Sequence, residues 1–323
     1  MVDFDDKAGN AGDVLKHAVL AWLLDSVASL RIPVTYVETH AGRGVYRVDP
    51  GSGKREHLEV PLPQVEKGPT AAAVRVLRKH LRKEPDGTWR YPGSPLFALE
   101  LLGVTAAGVF FEKDGDRRAS LATCLSEARA AGLEGVRIRA IGEDAWATNG
   151  DNKLRLHLQQ AYGVGATSRP STVIALVDPF SYVANGEAVT ERGEIGRKDL
   201  ELLGRWCKEV AAGAKGKASG LCAPMSGIMM VWTKATGEAL RDDLVALSEQ
   251  MPGPSRIHSL GIERNGERLD YAVVLLGYGS TGESVVHKLG QRVDGVKWER
   301  SALLKAWGYQ LVKDPWLPAS VPV

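Results

Sequence analysis

Apolar residues recur along the chain at two spacings, one typical of helices and the other of buried strands. A helix is predicted over residues 13–30, where apolar side chains return every three or four positions. Short apolar runs predict buried strands at residues 34–37, 108–112, 136–141, 172–177, 227–233 and 269–276. Helical spacing returns between most of these runs, at residues 95–102, 116–131, 153–162, 198–212 and 239–251. Strands that alternate with helices predict an α/β fold, a Rossmann-like and mostly parallel sheet with helices on both faces.

Two segments interrupt this alternation. Residues 49–90 are rich in glycine, proline and charge, contain one helical stretch near residues 71–83, and are interpreted as an inserted helical subdomain. Residues 185–197 follow a strand and have the composition of a loop. The main domain is predicted to consist of residues 1–48 and 91–296. It is followed at residues 297–323 by a C-terminal extension rich in aromatic side chains: Trp298, Trp307, Tyr309 and Trp316.

The composition is that of an ordinary globular protein, with 44% hydrophobic and 25% charged residues. Because 41 Lys and Arg residues face 39 Asp and Glu residues, the net charge of +2 does not by itself indicate a nucleic-acid-binding protein. Cys124, Cys207 and Cys222 form no C-x-x-C pair, so neither a metal site nor a disulfide framework is expected. The sequence contains no apolar run of membrane-spanning length and no apolar signal core, which predicts a cytoplasmic protein without a membrane partner.

The segment after the first predicted strand has the features of a cofactor loop. Glu38 ends the strand, and Gly42-Arg43-Gly44 follows, where the glycines allow positive φ and leave no Cβ in the way of a nucleoside. The dinucleotide fingerprint needs a third glycine, and Arg47 stands at that position. A nicotinamide or flavin cofactor is therefore not expected. An ordinary turn is the alternative for this motif.

Three further predicted strands also end in acidic residues. Glu112 can accept hydrogen bonds from both ribose hydroxyls of a nucleoside, and Asp144 can accept one from an adenine amino group. The third of these strand ends carries Asp178 followed by Pro179. One such carboxylate is typical of a solvated surface, but four in succession favour a nucleoside-binding edge of the sheet.

Three sequence blocks occur in an order that resembles a known family. Residues 7–17 read KAGNAGDVLKH, residues 39–46 read THAGRGVY, and residues 91–96 read YPGSPL. Together they resemble the RlmJ family, whose members methylate N6 of an adenine in 23S ribosomal RNA. The resemblance implies a class I methyltransferase fold with a small inserted helical subdomain, S-adenosyl-L-methionine as the cofactor, and RNA as the partner. It also implies a cofactor site that includes the loop glycines Gly42 and Gly44 and is lined by His17, His40, Ser94, Glu112, Asp144 and Asp178.

Two of these residues have structural alternatives. His17 lies on the inner face of a predicted helix, where a histidine is often an ordinary core residue with its hydrogen bonds satisfied. Ser94 precedes a proline at the start of a predicted helix and has the position of a helix cap.

The residues after the fourth acidic strand end depart from the family. Adenine-N6 methyltransferases of this type carry Asp-Pro-Pro-Tyr, whereas this chain has Asp178-Pro179-Phe180-Ser181 followed by Tyr182. The Asp178 carboxylate and the Pro179 carbonyl can still accept the N–H bonds of an exocyclic amine, so both are predicted as catalytic. Ser181 cannot stack on an extruded base, which leaves Phe180 or Tyr182 for that role.

The N-terminus departs from the family as well. Val2 stands where the family has a tyrosine that contacts substrate, and Phe4 is the nearby aromatic residue that is predicted to replace it.

Three functions fit these observations. The first is an RNA adenine-N6 methyltransferase, supported by the basic residues 75–83 (RVLRKHLRK), for which a solvated helix face is the alternative reading. The second is a methyltransferase that acts on a small metabolite or a peptide, favoured by the altered motif and the aromatic tail. The third is a non-catalytic nucleic-acid-binding module that keeps the fold, which the retention of Asp178 beside the cofactor-loop blocks disfavours.

Overall fold

The structure, a computed structural model, describes residues 8–32, 34–49, 55–103, 106–130, 137–141, 172–178, 181–183, 194–201, 226–234, 237–251, 253–294 and 301–313. Its helices are α1 (Ala11–Ala28), α2 (Ala71–His80), α3 (Ser94–Leu102), α4 (Gly115–Ala130), α5 (Gly237–Ser248), α6 (Gly279–Asp294) and α7 (Ala302–Ala306). Its strands are β1 (Val34–Glu38), β2 (Val45–Val48), β3 (Arg82–Lys83), β4 (Trp89–Pro92), β5 (Ala106–Phe111), β6 (Arg137–Ile141), β7 (Thr172–Val177), β8 (Ser181–Val183), β9 (Glu194–Gly196), β10 (Ser226–Lys234), β11 (Ser255–Arg264), β12 (Glu267–Tyr278) and β13 (Tyr309–Lys313). A 3-10 turn covers Glu56–Glu59.

The main sheet, counted over the described residues, has eight strands in the order β13-β11-β12-β10-β7-β1-β5-β6. The strands from β6 to β10 in this order are parallel, and β12, β11 and β13 add antiparallel pairings. From β1 the chain travels outward through β5 and β6, and then on the other side through β7 and β10. Open α/β sheets bind ligands where this direction of travel reverses, beyond the carboxyl ends of the strands. The carboxyl ends of β1 and β7 are therefore the expected place for a ligand.

Side chains of the central strands alternate between two cores, one on each face of the sheet. On one face Tyr36, Phe110 and Leu176 join the apolar residues of α1, α3 and α6. On the other face Val37 and Val177 pack with the leucines of α5. This period of two is what a strand covered on both faces requires, and it explains why each strand appears in the sequence as a continuous apolar run.

A small three-stranded sheet, in the order β2-β4-β3, brings together the two ends of the segment that was predicted as an insertion. Strand β2 leaves the predicted cofactor loop, and β4 returns beside it directly into α3. The amide of Gly93 donates a hydrogen bond of 2.8 Å to the carbonyl of Gly44, which joins the loop to the start of α3. The second and third sequence blocks are therefore neighbours in space.

The predicted α/β class is confirmed, and several element boundaries differ from the predictions. Helix α2 ends at His80 and residues 82–83 form strand β3, so the helical stretch is shorter than predicted. Within residues 185–197, which were predicted as a loop, Glu194–Gly196 is a strand that pairs with β8 and Arg197 is helical, whereas residues 198–201 are helical as predicted. The predicted helix at residues 153–162 and most of that at residues 198–212 lie outside the described residues.

Several elements were not predicted, among them the main-sheet strands β11 and β13 and the helix α6. Strand β11 carries serine, histidine and glycine among its apolar residues, and α6 contains three glycines, so neither shows a clean period. Strand β13 lies within the predicted C-terminal extension and is the edge strand of the main sheet. The domain boundaries themselves stay a prediction.

Within the part of the chain that the structure describes, no helix combines the length and the apolar character that crossing a membrane requires.

Candidate active site

Three acidic residues lie at the carboxyl ends of neighbouring parallel strands. Glu38 is the last residue of β1, Glu112 follows β5, and Asp178 follows β7. Since β1 lies between β5 and β7, the three side chains gather at one edge of the sheet. Asp144, the remaining acidic strand end, lies outside the described residues.

The first sequence block forms the beginning of α1 directly above this edge. Asn10 is the N-cap, and its side-chain oxygen accepts hydrogen bonds from the amides of Gly12 at 2.7 Å and Asp13 at 3.2 Å. The Asp13 carboxylate in turn accepts a hydrogen bond of 2.8 Å from the amide of Gly9, which has a φ of 76°. Reciprocal capping of this kind fixes where the helix begins and which way its first turn faces.

Lys16 of α1 connects this turn to the end of β7. Its ammonium lies 2.7 Å from Oδ1 of Asp13 and 2.6 Å from Oδ2 of Asp178, and only 9% of its side chain is exposed. Burial disfavours the charged lysine, but the two carboxylates outweigh that effect and hold the pKa of Lys16 well above its ordinary value. Burial raises the pKa of Asp178, against the lowering effect of Lys16. The lysine therefore favours the charged form of this buried carboxyl at the strand end.

Sequence reasoning did not assign a role to Lys16. A signal was present, because a lysine within an otherwise apolar helix needs a buried partner or a path to solvent. Its partner could not be read from the chain, since Asp178 lies 162 residues away.

His17, one residue further along α1, lies in an aromatic layer of the core. Its ring stacks on Phe97 at 4.7 Å and on Tyr91 at 5.6 Å between ring centroids, and its Nδ1 lies 3.0 Å from the hydroxyl of Tyr91. Burial lowers the pKa of His17 to about 3, so the ring is neutral. Its other nitrogen, Nε2, is buried and has no hydrogen-bond partner among the described residues. An ordinary core histidine satisfies both nitrogens, so this ring is not fully explained by packing alone.

The two glycines of the predicted cofactor loop have reasons within the protein to be glycine. Gly42 and Gly44 have φ values of 65° and 76°, in the left-handed region that favours glycine. A Cβ on Gly42 would lie 1.9 Å from the hydroxyl of Tyr46, and one on Gly44 would lie 3.0 Å from the Sγ of Cys124. The loop is thus folded under the Tyr46 ring and against α4.

Glu112 holds the same loop from the other side. One of its carboxylate oxygens accepts a hydrogen bond of 2.8 Å from the amide of Gly42, and the other accepts one of 2.9 Å from the amide of Asp114. Burial raises the pKa of Glu112, and these two hydrogen bonds oppose the rise. A carboxylate oxygen has two lone pairs, so each still has room for a further donor.

Ser94 begins α3 and does not cap it. Gly93 occupies the cap position, and the Ser94 hydroxyl instead donates a short hydrogen bond to the buried carboxyl of Glu38. The alternative reading of Ser94 as a helix cap is therefore wrong.

His40 lies in the loop after β1 and is half-buried. Its Nδ1 lies 2.9 Å from the hydroxyl of Thr39, and burial lowers the pKa of His40 to about 4.

An aromatic pair that was not predicted lies beside Asp178. Trp232 of β10 follows Val231, which is in register with Val177, so Trp232 and Asp178 leave the same face of neighbouring strands. The Trp232 ring stacks on Tyr271 of β12 at 5.9 Å, and a Cβ on Gly12 would lie 3.1 Å from it. The Trp232 indole nitrogen is buried without a partner among the described residues. The place of Trp232 beside Asp178 follows from the register of β10 with β7, which the sequence does not show.

The remaining predicted site residues are not located. Phe4, Pro179 and Phe180 lie outside the described residues, and Tyr182 belongs to β8 with its side chain outside the description.

The basic stretch of the insertion is matched by acceptors along its length. Its cationic side chains bind oxygen atoms of nearby residues: Arg75 to Asp25, Arg78 to Pro63 and Gln64, Lys79 to Glu100, Arg82 to Glu84, and Lys83 to Glu59. These contacts are solvent-exposed, and exposed pairs of this kind contribute about 0–1 kcal/mol each. The stretch therefore forms a nearly neutral face.

The strand order β6-β5-β1-β7-β10-β12-β11, with β12 antiparallel, is that of the class I S-adenosylmethionine-dependent methyltransferase fold. Over 102 residues the chain is 38% identical to ribosomal RNA large subunit methyltransferase J of Escherichia coli (strain K12), which covers 29% of this chain and 35% of that protein. The match thus spans about a third of the curated relative's length.

One solved structure extends the likeness of the fold along nearly the whole chain. Protein LPL1258 from Legionella pneumophila str. Philadelphia 1 is 17% identical, covers 95% of this chain and 98% of its own, and gives a TM-score of 0.54. A SAM-dependent methyltransferase from Agrobacterium tumefaciens is 12% identical, covers 84% of this chain and 63% of its own, and gives a TM-score of 0.42. No protein-family model matches the chain.

Proposed function

We propose that this protein is an S-adenosylmethionine-dependent methyltransferase that transfers a methyl group to an exocyclic adenine amine of RNA. The observation that carries the proposal is the buried Lys16–Asp178 ion pair at the carboxyl end of β7, at the point where the strand order reverses. Such a pair presents a charged acceptor to a ligand in the crevice. The partial likeness to the ribosomal RNA methyltransferase J supports the choice of RNA.

The residues at the sheet edge fit the proposed cofactor. Glu112 has carboxylate lone pairs that can accept hydrogen bonds from the ribose hydroxyls. The buried Nε2 of His17 has no hydrogen-bond partner among the described residues, and a bound ligand would supply one. Gly42, His40 and Ser94 complete this proposed cofactor site, together with Asp178. When bound, S-adenosylmethionine supplies an electrophilic methyl group on a positively charged sulfur.

Asp178 acts by accepting a hydrogen bond rather than by removing a proton at the outset. Its carboxylate, together with the Pro179 carbonyl, orients the amine and localises the nitrogen lone pair. Lys16 keeps the carboxylate ionised and holds its position, because both groups are largely buried. The amine proton passes to solvent after the new N–C bond has made the nitrogen cationic and acidic.

Trp232 is the described aromatic residue best placed to stack on an acceptor base. It lies on the same face as Asp178, one strand away, and Tyr271 supports its ring from behind. Phe180 and Tyr182 remain proposed contributors to the same contact. Stacking on aromatic side chains is the common way in which proteins hold an extruded base.

A second acceptor class is favoured by one observation. Since the cations of α2 and β3 are engaged by neighbouring oxygens, these described elements of the insertion lack the unbalanced positive face that would attract a polyanion. A methyltransferase of a small metabolite or peptide needs no such face.

Methyl transfer to RNA and to a metabolite extract, measured with radiolabelled cofactor, separates the two classes. We expect label in RNA, and binding to RNA that weakens steeply as salt rises from about 50 to 200 mM. Label in the extract alone, with no binding to RNA at low salt, would assign the protein to the second class. The absence of any cofactor binding would contradict both.

Replacement of Glu112 is expected to weaken cofactor binding. Glu112→Ala removes the acceptor for the ribose hydroxyls and also frees the Gly42 amide, at a cost of about 1–3 kcal/mol for bonds to a charged group. Glu127→Ala, which removes an exposed carboxylate of the following helix α4, serves as the matched control. Calorimetry that gives the same affinity for both variants would remove Glu112 from the cofactor site.

Replacement of Trp232 tests the stacked base. Trp232→Ala should raise KM for the nucleic-acid substrate by the equivalent of about 1–3 kcal/mol, while Trp232→Phe should retain most of the contact. Cofactor affinity should stay close to that of the wild type. If KM is unchanged in the alanine variant, the acceptor does not stack on this ring.

A further inference from the structure

Glu38 is a fully buried carboxyl group that the proposed reaction does not use. It ends β1, has an exposed fraction of 0%, and lies directly before the cofactor loop. Its two oxygens meet two hydroxyl groups: Tyr36 donates to one at 3.1 Å, and Ser94 donates to the other at short range. A buried carboxylate normally has a cation as a partner, and here the direct hydrogen-bond partners are neutral.

The groups that face Glu38 come from every element packed around it. Strand β1 contributes the Tyr36 hydroxyl, α3 contributes Ser94, α1 contributes Lys16, and β7 contributes Asp178. Its register neighbours, Phe110 on β5 and Leu176 on β7, are apolar.

The only cation in this set is already engaged. Lys16 is bonded to both Asp13 and Asp178, so one positive charge is shared between two carboxylates before Glu38 is counted. Burial, together with the Asp178 carboxylate, raises the pKa of Glu38 to about 8 against the lowering effect of the Ser94 hydrogen bond. Glu38 is therefore mostly protonated at neutral pH, and in that form its own O–H can donate to one of these two hydroxyl oxygens.

We infer that Glu38 gives up its proton when the positively charged methyl donor binds and regains it when the donor has become the neutral thioether. This rests on the proposed function, because the donor carries a sulfonium charge that S-adenosylhomocysteine lacks. The local charge would then stay balanced in both states, with Glu38 a carboxylate while the sulfonium is bound and a carboxylic acid while the thioether is bound. The proton moves between the Glu38 carboxyl and solvent, and no bond other than this O–H is made or broken.

This change of protonation favours the replacement of S-adenosylhomocysteine by S-adenosylmethionine after each turnover. The carboxylate stabilises the charged donor, and protonation removes that stabilisation once the charge has been transferred. An opposite charge within about 4–6 Å lowers a carboxyl pKa by about one to three units. We therefore expect the donor to release about 0.4–0.9 proton at pH 7, and its affinity to increase about 5- to 50-fold between pH 6 and pH 8.

Calorimetry in buffers of different ionisation enthalpy counts the protons. Binding of S-adenosylmethionine should release this fraction of a proton from the wild-type protein. Sinefungin, which has an ammonium in place of the sulfonium, should do the same, and S-adenosylhomocysteine should release much less. Since the amino group of each ligand also titrates, the difference in proton release between the charged ligands and S-adenosylhomocysteine is measured in Glu38→Gln as well, where it should disappear. Glu100→Gln, a partly buried carboxyl on α3 bonded to Lys79, should behave as the wild type.

A second measurement needs no variant. Difference infrared spectroscopy of the wild type should show the carbonyl stretch of a protonated carboxylic acid lost on binding S-adenosylmethionine and kept on binding S-adenosylhomocysteine. Equal proton release for the two ligands, a difference that persists in Glu38→Gln, or an unchanged infrared band would each overturn the inference. Absence of any binding heat would instead contradict the proposed cofactor.

Discussion

Asp178→Asn is expected to lower kcat by roughly a hundredfold or more and to change cofactor affinity far less. The substitution keeps the size of the side chain but can place an amide donor where the proposed amine needs an acceptor. Loss of an orienting or acid–base group costs about 10²–10⁴ in rate. Single-turnover methylation with saturating cofactor measures the effect, and calorimetry measures cofactor binding separately.

The control for this variant is Asp25→Asn. Asp25 lies in the last part of α1 and forms an exposed ion pair with Arg75. The Asp25→Asn variant should methylate at the wild-type rate. The same rate for Asp178→Asn would show that the acceptor is positioned by another group. A loss of cofactor affinity as large as the loss of kcat would instead make Asp178 a cofactor-binding residue alone.

Lys16→Met is expected to destabilise the protein and to shift its pH profile. Removal of the ammonium leaves Asp13 and Asp178 largely buried without their shared cation, and breaking a buried pair in this way costs about 3–5 kcal/mol in the free energy of unfolding. Urea unfolding measures this loss. Lys79→Met, which breaks only an exposed pair with Glu100, should cost about 0–1 kcal/mol.

The pH dependence follows from the same pair. Asp178 is needed in its ionised form, and burial raises its pKa while Lys16 opposes the rise, so activity in the wild type should fall as pH drops through a value above that of an ordinary aspartate. Without Lys16 the pKa of Asp178 rises further, and the acidic limb of kcat/KM should move to higher pH. Adding Asp178→Asn to Lys16→Met removes one uncompensated anion and should recover part of the lost stability. An unchanged pH profile in Lys16→Met would show that the ion pair is structural.

Much of the candidate site could be proposed from the sequence because its parts are local in sequence. The run from Glu38 to Gly44 is a strand end and a turn, and both can be recognised from adjacent residues. Asp178 could be found for the same reason, as an acidic residue at the end of an apolar run. Glu112 was predicted from its strand end, although its contacts with the amides of the loop depend on how the loop folds back.

The parts that escaped prediction depend on distant contacts. Lys16 has meaning only beside Asp178, and Trp232 only through the register of β10 with β7. Ser94 precedes a proline and so resembles a cap, but the buried carboxyl of Glu38 competes for its hydroxyl and prevails. Sequence periodicity shows which face of an element is apolar, but not which polar groups meet across two elements.

The position of β13 has a consequence for the order in which the chain can complete its fold during synthesis. The Tyr309 hydroxyl lies 3.1 Å from Nδ1 of the buried His57, a residue 252 positions earlier in the chain. A nascent polypeptide that has not yet reached residues 309–313 therefore leaves the outer edge of β11 unpaired and the His57 side uncovered. Contacts of such long sequence separation form late and slowly, so the unfinished chain exposes a strand edge to its neighbours on a polysome, where chaperones act.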